Sequence, residues 1–417
     1  MVLVPVSRAA VLALVLILPA CAETAPLPTP RPAAPEPPVT EAPAADFASW
    51  RAAFRTRALA EGISPALFDR AFAGVSPNAT VIERDRFQPE FSRAIWSYLD
   101  GAVSEARIAD GRQNAAAQEA LLTRLEAQYG VDRGAIVAIW GLESAYGAIK
   151  GDIPVIEALA TLAHDGRRQR FGEEQLIAAL RILAAGDVEA RRMVGSWAGA
   201  MGHTQFIPTS YLAYAVDATG DGRREIWGSD PSDALGSTAN YLSSFGWQKG
   251  APTVRRVTLP AGFDYGLADQ ATRRPVADWR ALGVTGADLP EGEAAILLPA
   301  GASGPAWLAY SNFRVIKRYN NATSYALAVS LLAEEIAGQR GASRGLTWPR
   351  GDRALSRDEQ TAFQRRLTAL GYDTGGVDGI FGPKTRAAVR AYQRAEGLTP
   401  DGYVNEALLR RVGAVGG

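Results

Sequence analysis

The chain has 417 residues, 47% of them apolar and 21% charged, which is room for two or three domains and at least one sizeable core. Lys+Arg and Asp+Glu both total 44, so no net field points to nucleic acid or an anionic surface as partner. A single cysteine excludes a disulfide framework and any multi-cysteine metal site, and two histidines leave few candidates for a metal centre or a Ser-His-Asp triad.

Residues 1–20 run from Met1 through Arg8 into AAVLALVLIL and stop at Pro19-Ala20-Cys21. This is short for a membrane span and has the layout of a secretory signal. The ending LPAC resembles a bacterial lipoprotein signal over residues 1–21, which implies lipidation of Cys21, a membrane anchor and a periplasmic protein. Ala22, rather than aspartate, after the cysteine implies outer-membrane sorting. Ordinary cleavage after Ala22 is the alternative, and either route exports the chain. Residues 22–45 are rich in proline and alanine and predict an extended, semi-rigid spacer.

From Asp46 to about Gly250 the pattern is helical. DFASWRAAFRTRALAEG and QNAAAQEALLTRLEAQYG each predict an amphipathic helix closed by glycine, and GEEQLIAALRILAAGD predicts another. Between about Ala251 and Phe313 short β-branched runs alternate with Gly and Pro clusters, predicting a small β-rich subdomain. Helix returns with SYALAVSLLAEEIAG, so one domain is expected over 46–340. A linker over 341–353 separates it from 354–413. There Ser356 and Glu359 form a capping box, with Phe363, Leu367 and Leu370 as the apolar stripe; Gly382-Pro383 opens a second helix and Asn405 caps a third. The fold class is therefore mainly α with a small β part (α+β).

In WGLESAYG (140–147), Glu143 follows Ile136, Ile139 and Trp140 by seven, four and three residues and shares their apolar helix face. A carboxyl group there should have a raised pKa and could deliver a proton to a leaving oxygen. A glutamate bending out to solvent, or paired with arginine, is the plainer alternative. Downstream, GSWAGAMGHTQFIPTSY (195–211) gathers small residues, Ser196, Gln205 and the flat faces of Trp197 and Phe206. His203 suits a groove wall or an exposed position.

Together WGLESAYG, ALATLAHDGRR, GSWAGAMGHTQFIPTSY and ANYLSSFGW resemble the B-type lytic murein transglycosylases, over about Phe47 to Ile336. The resemblance implies a lysozyme-like helical domain that cleaves the β-1,4 bond between N-acetylmuramic acid and N-acetylglucosamine and leaves a 1,6-anhydro end. It implies Glu143 as sole acid/base catalyst. It also implies substrate contacts from Ser196, Gln205, Arg167, Arg168, Tyr319 and Asn320, and no required cofactor. A hydrolytic muramidase would need a second carboxylate, for which Asp152, Glu157 and Asp165 are candidates. A silent wall-binding lipoprotein would not need Glu143 at all.

In DATGDGRREIW (217–227), Asp217, Thr219 and Asp221 alternate before Gly222, like the first half of a calcium loop. Gly228 stands where the bidentate glutamate belongs. The B-type resemblance implies closure by Asp233 and the Arg223 carbonyl instead, with Asp230 as rival; an Asp-Gly turn without metal is the alternative. Residues 354–413, through FQRRLTALGY, VDGIFGPKTRAAVRAYQRAEGL and DGYV, resemble a three-helix peptidoglycan-binding module with an internal echo. The expected partners are glycan strands, the membrane through Cys21, and cell-wall synthesis or division proteins.

Overall fold

The computed structural model describes residues 46–86, 94–338 and 345–414. The expected signal, Cys21 and the spacer lie outside the described residues. Helix α1 (Phe47–Ala60) starts where the Asp46 side chain accepts the Ser49 N–H, and α2 (Pro65–Ala71) where Ser64 accepts the Leu67 N–H. Then come α3 (Ala79–Arg86), α4 (Ile95–Ala102), α5 (Glu105–Ala117) and α6 (Glu119–Tyr129). One helix was expected over residues 113–130; the chain instead breaks at Gln118, with ψ near 20°, so its first residues end α5 and the rest form α6. Left-handed Gly130 ends α6.

Helix α7 (Arg133–Ser144) is buried on every side from Gly134 to Gly141. It packs against α5, α6, α11 (Ser232–Ser244) and α14 (Thr323–Ile336), so the core is built around it. Helices α8 (Val155–His164) and α9 (Gln169–Ala185) pack against each other. A two-stranded ribbon joins β1 (Ile153–Pro154) to β2 (Val194–Gly195), and α10 (Pro208–Tyr214) follows.

The β-rich insertion is a four-stranded antiparallel sheet of order β3-β6-β5-β4, with β3 (Val254–Val257), β4 (Arg274–Pro275), β5 (Glu293–Leu297) and β6 (Ala306–Ala309). Helix α12 (Val276–Ala281) covers it, and Trp279 fills that small core. Helix α13 (Ser311–Tyr319) returns the chain to α14. The C-terminal module holds α15 (Arg357–Ala369), α16 (Pro383–Ala395) and α17 (Glu406–Arg411), and its Ser356/Glu359 capping box is formed. Phe363 and Leu367 are buried there, but Leu370 is 43% exposed, because the helix ends at it and turns its side chain outward. Among the described residues no helix is long and apolar enough to cross a membrane.

Candidate active site

Glu143 occupies the last turn of α7. The helix stops there because Ala145 and Tyr146 both take left-handed φ, at 49° and 58°, which frees the carboxyl from the next turn. Burial pushes the Glu143 carboxyl up to about 7, and the Tyr325 hydroxyl, donating to Oε1 at 2.6 Å, pulls it partly back. Among the described residues its Oε2 accepts no hydrogen bond, and no carboxylate contributes to its titration. Tyr98 and Tyr319 feel its charge and have raised pKa values themselves, chiefly through burial. Neither Tyr325 nor Tyr98 was expected from sequence. Tyr325 reads as one more apolar position of α14, and only the packing of α14 on α7 brings its hydroxyl to the acid.

None of the three candidates for a second carboxylate acts on the titration of Glu143. Glu157 accepts the Asn78 amide at 2.6 Å, Asp165 pairs with Arg86 at 3.1 Å, and Asp152 is exposed.

Segment 195–206 forms tight backbone pairs, Gly195 with Met201 and Met201 with Phe206. Ser196 Oγ accepts the Ala200 N–H at 3.1 Å and shapes this turn. Gln205 takes φ 54°, unusual for a residue with a Cβ. Its amide donates to the carbonyls of Lys150 and Gly202, at 3.0 and 2.9 Å, leaving its own carbonyl without a partner among the described residues. His203 is neither groove wall nor surface: it is 3% exposed, accepts the Trp140 indole N–H at Nδ1 and donates from Nε2 to the Gly228 carbonyl. Phe206 is no sugar platform either, since it is buried against Tyr241 and Tyr319. Trp197 remains half-buried under the Arg168 guanidinium, 5.6 Å from the ring centre.

Gly151 holds this segment to the loop after α7. At φ 85°, a Cβ on Gly151 would stand 2.2 Å from the Gly195 carbonyl. Gly151→Ala should therefore cost about 3 kcal/mol, strain and overlap together, read as a lower midpoint in urea unfolding; an unchanged midpoint would remove the close-approach argument.

Arg167 and Arg168 both reach Asp85, which is 2% exposed, with Nε–oxygen distances of 2.6 and 2.9 Å. Two arginines on one buried carboxylate fasten α3 to the start of α9. Tyr319 donates its hydroxyl to the Thr204 carbonyl, while exposed Asn320 accepts the Ala322 N–H. A cavity of about 660 Å³ is lined by Tyr98, Trp197, Asn320 and Tyr325 together with Arg353 and Tyr403 from the C-terminal end. A cavity of about 240 Å³, bounded by Asp132, Trp247 and Glu334, lies at the other end of α7, away from Glu143.

Asp217, Asp221 and Asp233 converge with one oxygen each, all within 4.8 Å of one another. Asp233, not Asp230, closes the group; Asp230 instead accepts from Ser232. Asp233 also receives the N–H groups of Ala218, Thr219 and Glu225, and Thr219 donates its hydroxyl to Asp217. Arg223 donates its N–H to Asp221. Burial raises the Asp233 carboxyl, whereas N–H donors from Gly222 and its neighbours hold Asp217 low. Hard oxygen donors from three carboxylates suit a calcium ion.

A helical domain built around α7, with a proton-holding glutamate bonded to Tyr325 of the cavity wall, is joined to a three-helix module. The chain belongs to the family described as "Transglycosylase SLT domain", matched over residues 46–334, and residues 356–412 match "Putative peptidoglycan binding domain". The crystal structure of SltB3 from Pseudomonas aeruginosa in complex with NAG-anhNAM-pentapeptide is 51% identical, at a TM-score of 0.85. That match covers 88% of this chain and 99% of SltB3. The Escherichia coli lytic transglycosylase Slt35 in complex with calcium is 30% identical, with a TM-score of 0.61, over 70% of this chain and 93% of Slt35. Membrane-bound lytic murein transglycosylase B of Escherichia coli (strain K12) is 36% identical over 229 residues, 52% of this chain. This chain spans 61% of the length of that relative.

Proposed function

We propose that the protein is a lytic transglycosylase of peptidoglycan, with Glu143 as its single acid and base. The supporting observation is a carboxyl group held protonated to about pH 7, with no second carboxylate acting on it among the described residues. In the first step Glu143 Oε2 gives its proton to the oxygen bridging N-acetylmuramic acid and N-acetylglucosamine, and the bond from C1 to that oxygen breaks. The carboxylate left behind is stabilised by the Tyr325 hydroxyl. It then removes the proton of the muramoyl C6 hydroxyl as that oxygen bonds to C1, closing the 1,6-anhydro ring and restoring the acid. The nucleophile belongs to the substrate, so no water-directing carboxylate is needed. No cofactor enters either step.

Gln205 and Asn320 offer free polar groups to the strand, and Ser196 and Tyr319 hold the turn that presents Gln205. Arg167 and Arg168 act on the strand from the rim, their Nε groups tied to Asp85. The protein works in the periplasm, anchored to the outer membrane through lipidated Cys21, in wall remodelling alongside synthesis or division proteins.

Mass spectrometry of murein digested by the wild type and by Glu143→Gln tests the reaction. The expected result is 1,6-anhydro ends from the wild type alone. Reducing ends that depend on Glu143 would make the protein a hydrolase, and binding without cleavage would make it a silent wall anchor.

Calcium binds Asp217, Asp221 and Asp233 in this reading and steadies the loop leading to Gly228, the carbonyl that holds His203. A millimolar excess of calcium should raise Tm by about 2–4 °C through mass action, and Asp221→Asn should abolish the rise. No shift with either protein would leave the loop an Asp-Gly turn.

A further inference from the structure

The C-terminal module carries the same device twice. In the first copy Gln364 of α15 accepts the Asp378 and Gly379 N–H groups at 3.0 and 2.7 Å, and its amide donates to Asp378 Oδ1 at 3.1 Å. Asp378 Oδ1 also takes the Ile380 N–H at 2.9 Å. In the second, Gln393 of α16 accepts the Gly402 N–H at 2.8 Å and donates to Asp401 Oδ1 at 2.9 Å, and Asp401 Oδ1 takes the Tyr403 N–H at 2.9 Å. Each turn then leads into a helix, capped by Gly382 and by Asn405. Asp378-Gly379-Ile380 and Asp401-Gly402-Tyr403 are therefore equivalent.

The second copy is occupied. Asp401 Oδ2 accepts the Ala302 N–H at 2.8 Å, and Gly301 lies so near that a Cβ there would stand 2.6 Å from Tyr403 Cβ. What sits on the turn is a secondary amide N–H beside an unsubstituted carbon: the carbon packs on the third residue of the turn, and the N–H points at the aspartate. In the first copy the same two groups face solvent. No hydrogen bond among the described residues reaches Asp378 Oδ2, and Ile380 is 60% exposed, with Val377 beside it at 42%. An aspartate oxygen held in place beside an exposed isoleucine is a ready acceptor for such an amide.

We propose that the Asp378–Ile380 turn is a binding site for a secondary amide N–H flanked by a methyl or similarly small carbon. This rests on the reading of peptidoglycan as substrate, whose acetamido groups on the sugars and alanyl amides in the stem peptides both carry that chemistry. Ile380 receives the methyl and Asp378 Oδ2 the N–H, as Tyr403 and Asp401 receive Gly301 and Ala302.

The test is sedimentation of the full chain carrying Glu143→Gln, which leaves the wall intact, with purified insoluble murein. Adding Ile380→Asp, at a position too exposed to endanger folding, should weaken binding about fivefold, the worth of one such contact. Asp378→Asn, which replaces the free acceptor with a donor, should do the same. Leu370→Asp, elsewhere on the module, should leave binding unchanged. If the effect persists on murein stripped of stem peptides, the acetamido groups are the ligand; if it needs the peptides, the alanyl amides are. Binding indifferent to both Ile380→Asp and Asp378→Asn overturns the site while leaving cleavage by the Glu143 enzyme untouched. A parent chain that never sediments with murein overturns the site and wall binding together.

Discussion

Glu143→Gln should lower cleavage by at least about a thousandfold and, above neutral pH, make the protein more stable than the wild type. Both effects follow from a carboxyl group whose pKa rises from 4.5 in the free side chain to about 7 in the fold. Below pH 4.5 folded and unfolded chains both hold the proton, and the substitution gains nothing on this account. Between 4.5 and 7 the unfolded chain ionises while the folded one keeps its proton, so wild-type stability falls as pH rises. Above about 7 the loss is complete, at about 1–3 kcal/mol. Glutamine keeps the acceptor for the Tyr325 hydroxyl and carries no charge, so it escapes this cost. Thermal unfolding at pH 8 should then show a gain of about 2–4 °C, shrinking toward zero at pH 4. A gain that ignores pH, or measurable turnover by the variant, would mean that the carboxyl is neither buried nor used as argued.

Tyr325→Phe should lower kcat about ten- to a hundredfold, with a smaller change in KM. The hydroxyl bonds one oxygen of Glu143, and a hydrogen bond to a charged group is worth about 1.5–3 kcal/mol. It matters most when the carboxylate is charged, between proton delivery and proton removal. The pH profile separates this role from loose packing. The wild-type activity should fall as pH rises through about 7, where the acid ionises; without the hydroxyl, which pulls that pKa down, the falling limb should move to higher pH. An unmoved limb would place Tyr325 in the core and outside the chemistry.

Much of the architecture is legible in the sequence. The helix stops at Gly130 and Gly186, the Ser356 capping box and the Asn405 cap are local, set by backbone needs that neighbouring side chains meet. The change of texture near Ala251 marks the sheet because strands alternate with a period of two. The paired Asp-Gly turns echo one another because each is closed by a glutamine on the preceding helix. Where local signals tied, the sequence misled. QNAAAQEALLTRLEAQYG has no Gly or Pro to announce the break at Gln118. Leu370 continues a helical stripe one position beyond the helix.

By itself the sequence determined the class, the helical framework, the place of Glu143 on an apolar face and the alternation of Asp217, Thr219 and Asp221, because each depends on residues within a few turns of one another. Only the tertiary structure decided what surrounds that glutamate. Tyr325 stands 182 residues away, His203 is turned inward by Trp140 and Gly228, Asp233 rather than Asp230 meets the other carboxylates, and Arg167 and Arg168 share Asp85. These are pairings between distant segments, chosen by how α7, α14 and the 195–206 turn pack, and no periodicity along the chain encodes them. The raised pKa belongs to this second group as well, since it arises from the removal of water around a side chain, which happens only when the helices close on it.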